Sequence, residues 1–506
     1  MGVSVYSPSE SPISNTALGD SVAVEYSTTT AGVGRGRLQR WLDPGSLRTW
    51  RGAVGDGVVA GSARVDGRPV CVWTQDAGYL GGSLGAAGGE TIAQTIKRAD
   101  RAGVPVIGFP DSGGARLQEG VNALSAYGAI FRAQALARVP QITVVDGVCA
   151  GGAAYSPALG DFVVLVGPHA RMFLTGPKVV EKATGEQVNS EDLGGPRVHT
   201  SNGVAHLVAE DDRSAAELLS ELLSYLPAII GDPLPHRQAA SPPAGSPADH
   251  LPADMRCVYD IRDVVTSLAD GGRHLELAAR WAPNMVTTFI RLDGRAVGIV
   301  ANQPRHLGGT IDSAASEKGT WFVDLCDRFG LPIVVLVDTP GFLPGTRQER
   351  AGVIRHGASF LRAFARATTL KITVTLRQAY GGAHIVMNSR ELGADLTLAW
   401  PGAQIGIMGA RQAVAITERR AIAEGADVAE LAERYASRQL AVDVAAERGL
   451  IDEVVSPCET RGHLVRTLEL FAGSVAGSPC VPVEPITGND CEAGYEDETG
   501  ARHVLL

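Results

Sequence analysis

The chain of 506 residues lacks the raw material of several common functions. Its seven cysteines are odd in number, scattered over positions 71, 149, 257, 326, 458, 480 and 491, and nowhere spaced as CxxC. A disulfide framework or a zinc ribbon needs close, paired cysteines, so these read as reduced thiols, several of them buried. No apolar run approaches the roughly 18 residues of a membrane span, and the N-terminus has no basic stretch followed by an apolar core. A soluble, cytoplasmic protein without a membrane partner is expected. The net charge is −10 and no run of Arg or Lys exceeds two, which argues against nucleic acid as a partner. There is no GxxxxGK[ST] to hold ATP, no HExxH or clustered histidine pattern to hold a metal, and no methionine followed by lysine. Aromatics make up only 5% of the chain against 61 glycines, while 45% is hydrophobic. That balance suits an α/β protein dense in tight turns, and the length favours two or more domains.

What the chain does contain is one supersecondary unit twice. VPVIGFPDSGGAR (residues 104–116) is followed by QITVVDGVCAGGAAYSP (141–157); LPIVVLVDTPGF (331–342) is followed by KITVTLRQAYGGAH (371–384). Asp111 stands 40 residues before Gly151 and Asp338 stands 43 before Gly381, so the halves align at an offset of 227 to 230. In each copy a β-branched strand runs into two glycines and then into a helical stretch. Glycines let a ligand approach the backbone closely, and the helix start leaves N–H groups unpaired at its positive dipole end. Two such donors aimed at one point stabilise a developing oxyanion. Two glycine pairs imply two oxyanions.

The rest of the chain supplies the organisation. Residues 1–33 are rich in Ser and Thr without a sustained period and read as a mobile leader. A first domain is expected over 34–226, with strands near 58–65 and 70–74 and helices over 90–102 and 117–137. Seven prolines between 227 and 252 mark residues 227–255 as an extended linker. A second domain follows over 256–476, with helices expected at 261–268, 314–329, 352–367, 410–424 and 428–436 and strands near 287–292 and 296–301. Residues 477–506 form an acidic tail with little packing expected.

Some motifs carry less. Gly81-Gly82-Ser83-Leu84-Gly85 matches the GxSxG of a serine-hydrolase elbow, but its flanks are further glycines, so it reads as a glycine-rich substrate loop. Asp111 and Asp338 close strands at matching positions and read as loop caps. His384 follows the second glycine pair by one alanine and is the histidine placed to touch ligand.

Together these segments resemble the carboxyltransferase (β) subunit of biotin-dependent acyl-CoA carboxylases of the propionyl-CoA type. The resemblance runs from about residue 36 to 466. It is carried by GGSLGAAGGETI, DSGGARLQEG, CAGGAAYSPALGDF, FLTGPKVVEKATGE, GIVANQP, SEKGTWFVDLCDRFGLPIVVLVDTPGFLPG and AYGGAHIVMNSRELGADLTLAWPGAQIGIMGA in that order. It implies an α/β fold of two tandem crotonase-like ββα-spiral domains and a homo-hexamer in which one chain's N-domain faces another's C-domain. By the same resemblance, Gly151 and Gly152 receive the acyl-CoA thioester carbonyl and stabilise the enolate. Ala150 and Tyr155 line that side, and Ser112, Gly113, Gly114 and Arg116 form the CoA-side loop with backbone donors and one cation. Gly381, Gly382 and Ala383, with Gly341 and Phe342, take the ureido oxygen of carboxybiotin, and His384 and Ile385 border the acyl chain. No metal is implied.

Three departures from the family bear on function. Ile385 stands where the propionyl enzymes carry an acidic residue, which opens altered acyl acceptance, including a specialised substrate such as a polyketide extender precursor. The acidic stretch CEAGYEDET replaces a short basic tail. With no Met-Lys biotinylation motif and no ATP-grasp segment, the biotin and its ATP-driven carboxylation are expected from a biotin carboxylase/biotin carboxyl carrier (α) partner. The same site run in reverse would be a malonyl- or methylmalonyl-CoA decarboxylase, and a silent paralogue would only scaffold the assembly; both intact glycine pairs speak against the latter.

Overall fold

The computed structural model describes residues 29–471, with side chains described from Gly34. The repeat read in the sequence is a repeat of architecture. In the first half a seven-stranded sheet runs Arg48–Trp50, Val58–Val65, Arg68–Gln75, Val106–Phe109, Gln141–Val145, Phe162–Val166 and Leu207–Ala209 in spatial order. In the second, the order is His274–Leu277, Met285–Leu292, Arg295–Asn302, Ile333–Thr339, Lys371–Tyr380, Leu396–Ala399 and Glu453–Val454. Both begin as an antiparallel meander and continue parallel from the third strand onward. Parallel neighbours need crossover helices, and matching pairs supply them: Ala86–Ala102 with Val121–Leu136, and Ser313–Phe329 with Val353–Arg366.

A second layer turns the chain back over each sheet. In the first half the short strand Val148–Ala150 pairs with Arg171–Phe173. In the second the corresponding turn is absorbed into the ten-residue strand Lys371–Tyr380, whose end pairs with Gln404–Gly406 after a register shift between Val337 and Thr339. The glycine pairs sit at the ends of these strands.

One core runs through both halves, from Leu38, Phe109 and Phe162 to Phe289, Phe322 and Phe360, and separate clusters fill the outer faces of the two sheets. Across the halves the His206 ring stacks on Trp321 at 4.4 Å and 9°, and Tyr225 packs on Phe289 at 5.4 Å. Between Tyr225 and Ile261 the chain forms only the 3₁₀ turn Pro247–His250, as the prolines require. No described helix is long and apolar enough to cross a membrane.

Several boundaries differ from expectation. A helix spans Thr29–Leu38, across the leader boundary placed at 33. Three glycines and no apolar period hide it, and Arg37 secures its end through bonds to Thr74 Oγ1 (3.0 Å), Gln75 O (2.9 Å) and Phe109 O (3.0 Å). The helix expected over 117–137 begins at Val121, because Gly120 adopts φ 54°, ψ −129° and severs the 3₁₀ turn Leu117–Glu119. The helix expected over 410–424 is two, Ala410–Thr417 and Arg419–Ala423. The tail from 477 lies outside the described residues.

Candidate functional site

Each half builds the same cradle from three pieces. The first is a left-handed turn: Leu80, Gly81 and Gly82 have φ of 51°, 65° and 66°, and Leu307, Gly308 and Gly309 have 52°, 63° and 75°. The second is the loop after the first fully parallel strand, tied to that turn by a short bridge. Leu84 N–H donates to Gly114 O at 2.8 Å and Arg116 N–H to Leu84 O at 2.9 Å; Ile311 N–H donates to Gly341 O at 3.1 Å and Leu343 N–H to Ile311 O at 2.8 Å. The third is the glycine pair.

At the pairs, the first glycine carries the turn and the second opens the helix. Gly151 and Gly381 have φ of 63° and 57°, a conformation that L side chains resist. The helical turns then start at once, as the 3₁₀ turn Gly151–Ala154 leading into Tyr155–Leu159, and as the helix Gly381–Val386. Their first N–H groups have no intrahelical acceptor. The loop stands alongside: a Cβ on Gly114 would lie 3.7 Å from Gly151 Cα, and one on Gly382 would lie 3.7 Å from the Phe342 ring. The backbone N–H groups of Ala115 and Phe342 make no hydrogen bond among the described residues.

The two cradles differ in what lies behind them. A Cβ on Gly152 would come within 3.1 Å of the Tyr127 ring, tighter than ordinary contact. Tyr127 is buried, and burial pushes its phenol up to about 12. Tyr155 is 51% exposed at the outer edge of this cradle, its ring edge-on to Phe131 at 6.1 Å. Ala150 donates its N–H to Ser112 O at 2.9 Å. The second cradle opens onto a cavity of about 470 Å³ whose lining includes Gly381, His384, Ile385, Ile405, Ile407 and Tyr435. His384 is half-buried, and burial holds its imidazole below the usual range. Ile385 is 48% exposed at the rim. Tyr380 Oη, beneath the pair, donates to Gln404 Oε1 at 2.6 Å.

Two expectations are corrected. Ser112, Gly113 and Gly114 do not present free donors. Their N–H groups go to Val148 O (2.6 Å), Gly81 O (3.0 Å) and Ser112 Oγ (3.1 Å), so they shape the wall and leave Ala115 as the loop's unused donor. Arg116 is not a cation free for an anionic headgroup. Its side chain is 7% exposed, ion-paired to Asp56 and to Glu119 (2.7 Å), and donates to Ser83 O at 2.8 Å. Asp56 and Glu119 in turn accept the N–H groups of Gly88 (2.6 Å) and Ala86 (2.7 Å) at the start of the helix Ala86–Ala102. The cluster fixes that helix start against the loop. Ser83 joins this cluster through its carbonyl.

The paired aspartates have unlike roles. Asp111 caps its loop by accepting Val148 N–H at 3.1 Å. Asp338 is 2% exposed and pairs with Arg377 at 2.8 Å, whose guanidinium also lies over the Tyr259 ring at 4.7 Å. Burial raises the Asp338 carboxyl and Arg377 opposes the rise. Removing one member of such a pair strands the other's charge, so Asp338→Ala is expected to destabilise the second half by about 3–5 kcal/mol, read as an earlier transition in denaturant unfolding. The double replacement Asp338→Leu/Arg377→Met should recover much of that loss.

The left-handed leucines were not singled out from the sequence. A leucine at positive φ stores strain on the order of 1–3 kcal/mol, and Leu80 and Leu307 remain 59% and 52% exposed. The signal was present as Leu-Gly-Gly repeated at an offset of 227 residues. Among the described residues no cluster of His, Cys, Asp or Glu could hold a metal ion.

Comparison with known proteins gives the geometry its context. Residues 45–479 match the family described as Carboxyl transferase domain. The chain is 47% identical over 440 residues to the propionyl-CoA carboxylase beta chain of Saccharopolyspora erythraea, covering 83% of this chain and 81% of that protein. It is 42% identical over 424 residues to the methylmalonyl-CoA decarboxylase subunit alpha of Veillonella parvula, covering 83% and 82%. Among solved structures, the transcarboxylase 12S subunit, a hexamer with methylmalonyl-CoA and methylmalonic acid bound, is similar with a TM-score of 0.83 and 42% identity, over 87% of this chain and 89% of that one.

Proposed function

The chain belongs to the carboxyl transferase family as the carboxyltransferase subunit of a biotin-dependent acyl-CoA carboxylase, and from that premise we propose how its two cradles divide the reaction. The observation that carries the proposal is the duplicated cradle, each copy pairing an unused loop N–H with the start of a helix.

In the first half, the N–H groups of Ala115 and of the Gly151-Gly152 turn hold the thioester carbonyl of a propionyl-CoA-like substrate. As the α-proton leaves, charge builds on that oxygen, and fixed donors stabilise the enolate without reorganisation. The Arg116–Asp56–Glu119 cluster acts one step back: it holds the loop and the helix start in register, so the donors stay aimed.

In the second half, Phe342, Gly382 and Ala383 supply the N–H groups, beside the mouth of the cavity that their chain neighbours Gly381, His384 and Ile385 line. That mouth suits biotin: Gly382 has no side chain to fill the space before the helix, and Ile405 and Ile407 offer apolar wall to a fused ring. When delivered by a partner, carboxybiotin supplies the CO₂ and a base for the acyl proton. Gly382 and Ala383 hold its ureido oxygen, which explains why no carboxylate dyad is needed here. The same residues serve both directions, and similarity to a decarboxylase subunit favours keeping the reverse reaction as a second reading.

Purified alone, the chain is expected to show no ATP-dependent carboxylation, and with a biotinylated α partner it should incorporate radiolabelled bicarbonate into propionyl-CoA. Activity without a biotin carrier would refute the division of labour. Leu117, Val121 and Leu124, 89%, 74% and 62% exposed beside the first cradle, and Ile354 and Ile407, both 77% exposed beside the second, are apolar surface of the kind that subunits cover. They support the reading of this chain as part of a hexamer that joins unlike halves.

Ile385 at the rim sets acyl preference. A branched apolar side chain accepts an alkyl group, whereas a carboxylate left unpaired beside one costs about 1–3 kcal/mol, a preference shift of roughly ten- to hundred-fold. Ile385→Asp is expected to change the kcat/KM ratio among acetyl-, propionyl- and butyryl-CoA by that much, with little change in melting temperature. Unchanged ratios would show that chain length is read elsewhere.

A further inference from the structure

An open groove of about 620 Å³ lies between the far ends of the helices Ala86–Ala102 and Val121–Leu136, away from the glycine pairs. Gly128, Ala129, Ala133 and Ala137 line it, and Lys97, Arg101, Arg132 and Arg138 edge it. Lys97 and Arg101 are four residues apart and share a helix face. Arg138 is paired with Asp100 at 3.0 Å, but Lys97, Arg101 and Arg132 are exposed and have no ion-pair partner among the described residues. Three cations without an ion-pair partner among the described residues thus edge one groove on a chain of net charge −10.

The end of the described chain lies beside it. Phe471 lines an apolar cavity of about 360 Å³ together with Gly231 and Asp232. Ile230, the residue before Gly231, donates its N–H to Arg138 O at 3.0 Å. The cavity where the described chain ends thus adjoins the groove's wall. Beyond Phe471 the sequence holds Glu484, Asp490, Glu492, Glu496, Asp497 and Glu498 against the single cation Arg502 and one histidine. Glu484 stands 13 residues beyond Phe471, and even a fully flexible segment of that length spans roughly 20 Å.

We propose that the acidic segment 484–498 of this chain docks in the basic groove formed by Lys97, Arg101 and Arg132, laying a strap across the helix pair whose opposite ends carry the first cradle. The groove's small side chains leave the backbone room to approach, and the cations supply the charge.

Lysine is scarce enough to make the test specific, because the chain has only Lys97, Lys178, Lys182, Lys318 and Lys371, and the last two are buried. A zero-length carbodiimide condenses a lysine amine with a carboxylate to an amide, releasing the activated oxygen as the urea. Treated at low salt, the full-length protein should yield peptides joining Lys97 to the acids of 484–498. In a mixture of isotopically light and heavy chains those peptides should join like with like. The full-length variant Arg101→Glu/Arg132→Glu, with melting temperature checked, should lower their yield by at least about tenfold, as should 1 M salt, where the screening length falls to about 3 Å. Absence of these peptides at low salt, light–heavy joining in statistical proportion, or an unchanged yield in the folded variant would each overturn the proposal. Capture of those acids by Lys178 or Lys182 instead would do the same.

Discussion

Gly382→Val is expected to lower carboxyl transfer by at least about 10²-fold while leaving acyl-CoA binding and the melting temperature nearly unchanged. The side chain would sit where the helix Gly381–Val386 presents its first N–H groups, and a ureido oxygen could no longer reach them. The fold should tolerate it. Gly382 is exposed, its φ is not positive, and the nearest atom to an added Cβ is the Phe342 ring at 3.7 Å, an ordinary contact. Steady-state rates with the reconstituted partner, alongside calorimetric acyl-CoA titration, check both halves of the expectation. A folded variant with near-wild-type turnover would show that the second cradle does not hold the biotin side.

Gly152→Val should lose at least about 10² in turnover as well, but it should also lose stability. Its Cβ meets the buried Tyr127 ring at 3.1 Å, and overpacking of that kind costs typically 1–3 kcal/mol. The variant should therefore melt several degrees early, and acyl-CoA affinity should fall while the biotin side is spared. Pairing it with Tyr127→Leu separates the effects: stability should return and turnover should not. Recovery of turnover in the double variant would mean that the first cradle's loss was a packing effect alone.

That inequality between two glycines shows where the sequence was and was not readable. The duplicated strand, glycine pair and helix were legible because each lies within one short stretch and the offset exposes the second copy. The helix 261–268, and the strand at 58–65, likewise follow from local periodicity and lie where expected. What sits behind the cradles depends on contacts between distant segments, and no local pattern reports them. Tyr127 reaches Gly152 from a different helix, Arg37 reaches Phe109 from 72 residues away, and Asp56 reaches Arg116 from 60. Arg116 reads as a ligand cation in its own loop, and only the fold supplies the two carboxylates that occupy it. Likewise the N–H groups of Ser112, Gly113 and Gly114 look available in a glycine-rich segment, until the left-handed turn at Leu80–Gly82 brings Gly81 O to meet one of them.

The account rests most heavily on each reaction centre joining the first half of one chain to the second half of another. Co-expressing Gly152→Val and Gly382→Val chains with different tags, purifying the mixed oligomers and measuring carboxylation tests this most directly. Each variant alone is expected to keep at most about a hundredth of wild-type turnover, but a mixed assembly contains centres with an intact first cradle from one chain and an intact second cradle from the other. Random pairing in a symmetric assembly predicts recovery of about a quarter of wild-type activity. Mixed oligomers no more active than either parent would contradict it.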